Sequence, residues 1–141
     1  MLFALDTNAI SAALKGNPSV VARLEQAAVA GDHVALPAFV YYEVKRGLDL
    51  PRLARTFAAF EKFVASHQIL SLDLGVLDIA ASIYQDLKTT GRPIGDADIL
   101  IAATALYHDA ILVTRNSSHF NRIEGLTVQD WQEPISPEEN P

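Results

Sequence analysis

The chain has 141 residues, half of them hydrophobic, which fits one domain with one core and excludes disorder over most of its length. Its net charge of −6, from 11 basic and 17 acidic residues, is unusual for a nucleic-acid-binding protein. The absence of Cys excludes a disulfide framework, a zinc–cysteine site and a cysteine nucleophile, and it is compatible with the cytoplasm, where we expect the protein to act.

Short apolar runs without polar alternation predict parallel strands that are covered on both faces. In chain order these runs are residues 2–5, 33–36, 69–72 and 111–114, with a weaker candidate at 126–128. Helical patterns lie between them and begin near residues 9, 18, 37, 51, 73 and 96. The alternation predicts an α/β fold with a mainly parallel sheet of four to five strands flanked by helices.

We expect one domain over residues 1–131, followed by an acidic, Pro-containing tail at residues 132–141 that is flexible. The first ten residues lack the basic segment of a signal peptide, and no run of eighteen apolar residues predicts a membrane span. We therefore expect no membrane association.

Acidic residues follow or border the predicted elements at two points in the first half of the chain. Asp6 comes directly after the first strand, where open parallel sheets bind ligands, and is either a ligand or the cap of a helix starting near Ala9. Glu43 borders the buried face of the helix predicted at 37–47, where a carboxylate is costly unless it is paired, protonated or metal-bound. The alternative for Glu43 is an ion pair with one of the two bases that follow it.

Two further acids begin a helix that is apolar through Leu106 and therefore buried all round. One acid suffices as a cap, so we assign Asp96 to the cap and Asp98 to the ligand role. A polar turn follows the fourth strand, where Thr114 and Asn116 either hydrogen-bond to a metal-bound water or a phosphate or stabilise the turn itself.

Three carboxylates from distant parts of the chain, Asp6, Glu43 and Asp98, would meet at one edge of this sheet. They repel one another unless a cation neutralises them. Oxygen ligands favour Mg²⁺ or Mn²⁺, and such an ion activates water and neutralises charge as a phosphodiester is cleaved. The acids therefore predict a metal-dependent hydrolytic site.

The motifs LDTN at 5–8, EVKRG at 43–47, DILIAATA at 98–105 and VTRN at 113–116, followed by Phe120, resemble those of PIN-domain ribonucleases. The resemblance is to VapC-type toxins of bacterial toxin–antitoxin pairs in particular, and it spans the chain to about Trp131. It implies a PIN-like three-layer fold, an endoribonuclease dependent on Mg²⁺ or Mn²⁺, a homodimer, and a VapB-like antitoxin that blocks the site.

By this resemblance Asp6, Glu43 and Asp98 are the family's acids, with Asp6 and Asp98 as the main metal ligands. Thr7 and Asn8 would orient those ligands.

The chain departs from the family pattern at two positions. Asn116 stands where many PIN nucleases carry a fourth acid, which leaves a neutral ligand there. His119 stands where relatives often have Asp or Glu before the Phe. We interpret His119 as a neutral surface substitution, and the alternative is that it supplies a proton to the leaving oxygen.

The main hypothesis is an endoribonuclease that cuts single-stranded or loop RNA, with Asn116 and Thr114 at the metal's waters or the scissile phosphate. Arg115, Arg46 and Arg52 are candidates for contacts to the RNA backbone. Five of the eleven bases lie between residues 45 and 62 against two acids, so this segment is either a phosphate-facing surface or a solvated helix face.

The second hypothesis is a catalytically weak PIN-fold binding module whose acidic pocket mainly holds a partner's Arg. Two other enzymes with acid clusters fit less well by resemblance. A haloacid-dehalogenase-type phosphatase has a second Asp where this chain has Asn8, and a receiver domain has a Lys where Arg115 stands. The aromatic content of residues 37–64 either packs two helices or holds a dimer partner or an antitoxin helix.

Overall fold

A computed structural model describes residues 1–134, so the predicted flexible tail lies outside the described residues from residue 135 onward. Five strands form one sheet in the order β3-β2-β1-β4-β5, and every neighbouring pair is parallel. The strands are β1 (Leu2–Leu5), β2 (His33–Pro37), β3 (Gln68–Leu70), β4 (Ile111–Val113) and β5 (Val128–Gln129). The predicted α/β fold with a parallel sheet of four to five strands is confirmed.

Seven helices within the described residues accompany the sheet. They are α1 (Thr7–Leu14), α2 (Pro18–Ala30), α3 (Ala38–Gly47), α4 (Ala54–Ser66), α5 (Leu74–Thr89), α6 (Asp96–Tyr107) and α7 (Ser117–Phe120), with a 3₁₀ turn (Pro51–Leu53) before α4. None of these helices is long and apolar enough to cross a membrane.

Local signals in the sequence explain some of the helix ends. The side chain of Asn17 accepts hydrogen bonds from two backbone N–H groups at the start of α2, and Asp73 accepts one at the start of α5. Gly31 ends α2 in the left-handed conformation, at φ +76°, which a residue with a Cβ rarely adopts.

One predicted helix start and one predicted cap were wrong. The first helix begins at Thr7 rather than near Ala9, because Asp6 caps it directly and its carbonyl already accepts from the N–H of Ala9 at 3.0 Å. The cap of α6 is Gly95 rather than Asp96, because Gly95 is extended and its carbonyl accepts from the N–H of Ile99 at 3.1 Å. Asp96 is exposed in the first turn and makes no capping hydrogen bond.

The order of the strands determines where a ligand can bind. Central strand β1 pairs with β2 on one side and with β4 on the other, so the connections leave it in opposite directions. In open parallel sheets this switch point creates a crevice at the carboxyl ends of the strands. Helix α6 is buried around most of its circumference. Asp98, in its first turn, lies near enough to Asp6 for the charges of the two side chains to interact, so the amino end of α6 lies at the same part of the molecule.

Candidate active site

Asp6 occupies the crevice between β1 and β4. It follows β1 directly, and its backbone N–H donates to the carbonyl of Val113 at 2.9 Å, which ties it to the end of β4. The residue is only 4% exposed. One carboxylate oxygen, Oδ1, accepts from the N–H of Thr7 at 2.7 Å, so Asp6 caps α1. The other oxygen, Oδ2, faces Thr114 at the end of the neighbouring strand β4.

The two motifs that end β1 and β4 are joined by hydrogen bonds between side chains. The Thr114 hydroxyl donates to Oδ2 of Asp6 at 2.7 Å, and Nδ2 of Asn8 lies 3.2 Å from both that oxygen and Oγ1 of Thr114. Oδ1 of Asn8 accepts from the N–H of Arg115 at 3.1 Å, and the N–H of Asn116 donates to Oγ1 of Thr114 at 3.0 Å. These bonds hold the Asp6 carboxylate in one orientation.

Glu43 reaches the same region from α3. Its Oε1 accepts from the Thr7 hydroxyl at 2.7 Å, so the residue next to Asp6 holds the second acid in place. Its Oε2 lies 3.8 Å from Nη2 of Arg46, one turn further along α3. The ion pair that the sequence left open is therefore formed, although Arg46 is 57% exposed and such a pair contributes little to stability.

Asp98, in the first turn of α6, is paired with His119. Oδ2 of Asp98 lies 3.0 Å from Nδ1 of His119, and the two side chains are 23% and 49% exposed. His119 belongs to α7, where the neighbouring Phe120 is fully buried and anchors the short helix. Our interpretation of His119 as a neutral surface substitution missed this contact. The apolar Phe120 directly after it could have indicated that the short helix packs against the protein and so holds His119 near the site.

The charges of the three acids act on one another. Burial raises the pKa of Asp6 above its ordinary value, hydrogen bonds from Thr114 and Thr7 partly oppose that rise, and the negative charges of Asp98 and Glu43 add to it. Asp98 and Glu43 therefore repel the ionised Asp6 carboxylate, and a divalent cation held by oxygen ligands would relieve that repulsion.

The donor set fits such a cation, although no three acidic or imidazole side chains among residues 1–134 already converge as a metal site. Glu43 lies next to Arg46, and Asp98 lies next to His119. A cation would have to compete with these partners.

The polar residues predicted to meet RNA differ in their placement. Thr114 is 1% exposed and its hydroxyl is already used by Asp6, whereas the Asn116 side chain is exposed and does not cap α7. Arg115 and Arg46 are exposed beside the site. Arg52 is exposed in the 3₁₀ turn and, within the described residues, contacts none of the three acids.

The model of the PIN domain family matches residues 3–126 of the chain. The chain belongs to the PIN domain family. Among its relatives, this PIN-domain chain is 32% identical over 132 residues to the "tRNA(fMet)-specific endonuclease VapC" of Shigella flexneri, covering 92% of this chain and 97% of that protein. It is 30% identical over 138 residues to "Ribonuclease VapC1" of Haemophilus influenzae, covering 93% and 98%.

Solved structures share the fold of this PIN domain. VapBC2 from Rickettsia felis, bound to a DNA fragment from its promoter, matches with a TM-score of 0.85 and 26% identity over 93% of this chain and 99% of the other. VapBC-1 from nontypeable Haemophilus influenzae matches with a TM-score of 0.82 and 29% identity over 94% and 100%. The PIN-like arrangement of sheet and helices is confirmed.

Proposed function

We propose that this chain is an endoribonuclease of the VapC type that cuts single-stranded or loop RNA. The observation that carries the proposal is the buried Asp6 carboxylate, whose pKa is raised partly by two other acids, at the switch point of the sheet. The relatives named as ribonucleases and a tRNA endonuclease support the choice of RNA as substrate.

Asp6 and Asp98 would hold Mg²⁺ or Mn²⁺, and Glu43 would complete the cluster or position water. Such a cation supplies an activated water and neutralises charge that develops on the phosphate. The hydroxyl of Thr7 keeps Glu43 oriented. The hydroxyl of Thr114 does the same for Asp6, so we assign Thr114 to positioning rather than to the substrate itself.

We assign contacts with the RNA to the exposed polar groups around the acids. The Asn116 amide would bind the scissile phosphate or a water beside it, and the guanidinium groups of Arg115 and Arg46 would contact neighbouring phosphates. Arg52 would bind the backbone further from the cut. Cleavage should therefore weaken with added salt, as contacts to phosphates do.

The partner of this chain would be a VapB-like antitoxin, which the similarity to solved VapBC structures supports. That the antitoxin blocks the acidic site is implied by the family resemblance and stays a prediction. The homodimer implied by the family resemblance stays a prediction, as does the cytoplasmic location. The division into a domain at 1–131 and a tail at 132–141 is a prediction of the same kind.

The second candidate function is a binding module whose acids hold a partner's Arg and turn over little RNA. The contact between Arg46 and Glu43 favours it, because the site already accepts a guanidinium group from its own chain.

The two functions are separated by incubating the purified full chain, free of antitoxin, with total RNA in Mg²⁺, in Mn²⁺ and in a chelator. The nuclease predicts discrete cuts with either metal and none in the chelator, and sequencing of the new ends identifies the substrate. Cleavage no greater with metal than in the chelator would favour the binding module.

A further inference from the structure

A groove of about 810 Å³ runs beside the acidic site, between α3 and the chain that leads into α4. This volume is of the size that holds a drug-sized ligand, or about one or two nucleotides. Both aromatic and basic side chains line it, including Tyr41, Tyr42, Lys45, Arg46 and Phe57. Only Arg46 among them has a role in the function proposed above.

Two aromatic–cation pairs stand side by side on α3. The Lys45 ammonium lies 5.4 Å from the centre of the Tyr41 ring, and the Arg46 guanidinium lies 5.0 Å from the centre of the Tyr42 ring. Tyr42 is 52% exposed, so its ring is accessible to a ligand in the groove. Each cation lies over its ring and also donates to the hydroxyl of that ring, at 3.3 Å for Lys45 and 3.4 Å for Arg46, so the groove presents two groups that each combine a ring with a positive charge.

The groove meets the site of the three acids at one side chain, Arg46. Arg46 lines the groove and also lies 3.8 Å from Glu43, so one side chain belongs to both surfaces. An RNA strand that is cut at the acids must continue on both sides of the cut. The part of the strand on one side of the cut would meet Arg46 and then the rings of Tyr42 and Tyr41.

We infer that this groove binds single-stranded RNA next to the cut, with bases against Tyr42 and Tyr41 and phosphates against Lys45 and Arg46. The inference rests on the proposed function and extends it to the recognition of the substrate. Aromatic rings interleaved with cations are the usual platform for unpaired bases. The basic side chains of Lys45 and Arg46 outnumber the one acid of the groove, Asp49, and this charge favours a polyanion. The remaining lining is apolar and consists of Leu48, Leu50, Pro51, Ala54 and Phe57.

The test measures RNA affinity separately from cleavage. The full chain carrying Asp6→Asn, which we expect to be inactive, is titrated into a labelled single-stranded RNA of mixed sequence, and fluorescence anisotropy is recorded. In this background Tyr42→Ala should weaken binding about tenfold, the loss expected for one base–aromatic stack. Tyr42→Phe keeps the ring and should bind as the parent does.

Tyr84→Ala provides the matched control, because Tyr84 is 50% exposed on α5, outside the groove. It should leave RNA affinity unchanged. RNA carrying 5-iodouridine should also form photo-crosslinks to Tyr41 or Tyr42.

Equal RNA affinity for Tyr42→Ala and the parent, with no crosslink in α3, overturns the inference. The unsubstituted chain, assayed for cleavage of the same RNA, tests the proposed function independently. If the chain cleaves the RNA but its RNA affinity does not depend on Tyr42, the groove inference is refuted and the proposed nuclease function stands. If RNA affinity depends on Tyr42 but the chain does not cleave the RNA, the proposed nuclease function is refuted and the groove inference stands.

Discussion

The Thr114 hydroxyl donates a hydrogen bond of 2.7 Å to Oδ2 of Asp6, and this bond joins residues 108 positions apart in the chain. Both residues are almost fully buried, so water cannot replace the bond if it is lost. Oγ1 of Thr114 also accepts from Asn8 and from the N–H of Asn116. One hydroxyl thus connects the ends of β1 and β4 at the proposed catalytic acid.

Replacing Thr114 by Val should therefore damage both stability and activity. The substitution removes the hydroxyl that donates to the buried Asp6 carboxylate and that accepts from the Asn8 amide and the N–H of Asn116. We expect a loss of about 1–3 kcal/mol in the free energy of unfolding, measured with urea, together with loss of RNA cleavage. Thr114→Ser keeps the hydroxyl and should retain most of both. A Val variant as stable and active as the native chain would contradict this role.

Asp6 should make stability depend on pH in a predictable direction. Because burial raises its pKa in the folded chain above the ordinary 3.8, the stability cost of ionising Asp6 builds up as the pH rises from 3.8 and is complete above the raised pKa. In a chelator at pH 7, Asp6→Asn should therefore be more stable than the native chain. The difference should shrink as the pH falls through the raised pKa toward 3.8, and paired urea titrations between pH 4 and 8 measure it. A difference that grows at low pH would reverse the sign and refute the argument.

Asp98 and Asp96 form a matched pair for the proposed cation. Both lie in the first turn of α6, but Asp98 is only 23% exposed and faces His119, whereas Asp96 is exposed. Mn²⁺ at a hundredfold excess over its Kd should stabilise the native chain by about 2.7 kcal/mol, visible as a rise in Tm. Asp98→Asn should abolish most of that rise and Asp96→Asn should preserve it. Equal responses from the two variants would remove Asp98 from the site.

Phe120 should be required for the fold around α7. The ring is fully buried, and its truncation to Ala leaves a cavity beneath the short helix that carries His119. We expect Phe120→Ala to lower the free energy of unfolding by about 3–5 kcal/mol, measured by urea denaturation, and Phe120→Leu to cost less. An Ala variant within about 1 kcal/mol of the native chain would show that the helix is held by other contacts.

The fold was largely predictable because its signals are local. The apolar runs of the strands, the caps at Asn17 and Asp73, and the left-handed Gly31 each reflect a short stretch of chain. Asp6 was also predictable, since a carboxylate directly after the central strand has few other places to lie.

The rest depended on backbone conformation or on packing between distant segments. Two acids two positions apart look alike as caps, and only the extended Gly95 shows that neither Asp96 nor Asp98 is one. The contact between His119 and Asp98 spans 21 positions and requires buried Phe120 to orient α7. The groove depends on how the 3₁₀ turn leads α4 past α3, which no residue pattern encodes.

The most direct test compares RNA cleavage by the native chain, Asp6→Asn and Asp78→Asn, all folded to the same extent by circular dichroism. Asp78 is an exposed acid on α5 and controls for the loss of one negative charge. We predict that with Mg²⁺ or Mn²⁺ the native chain and Asp78→Asn cut RNA at the same positions and rates, while Asp6→Asn yields no products. Undiminished cleavage by Asp6→Asn would contradict the claim that the buried carboxylate at the sheet's switch point carries the reaction.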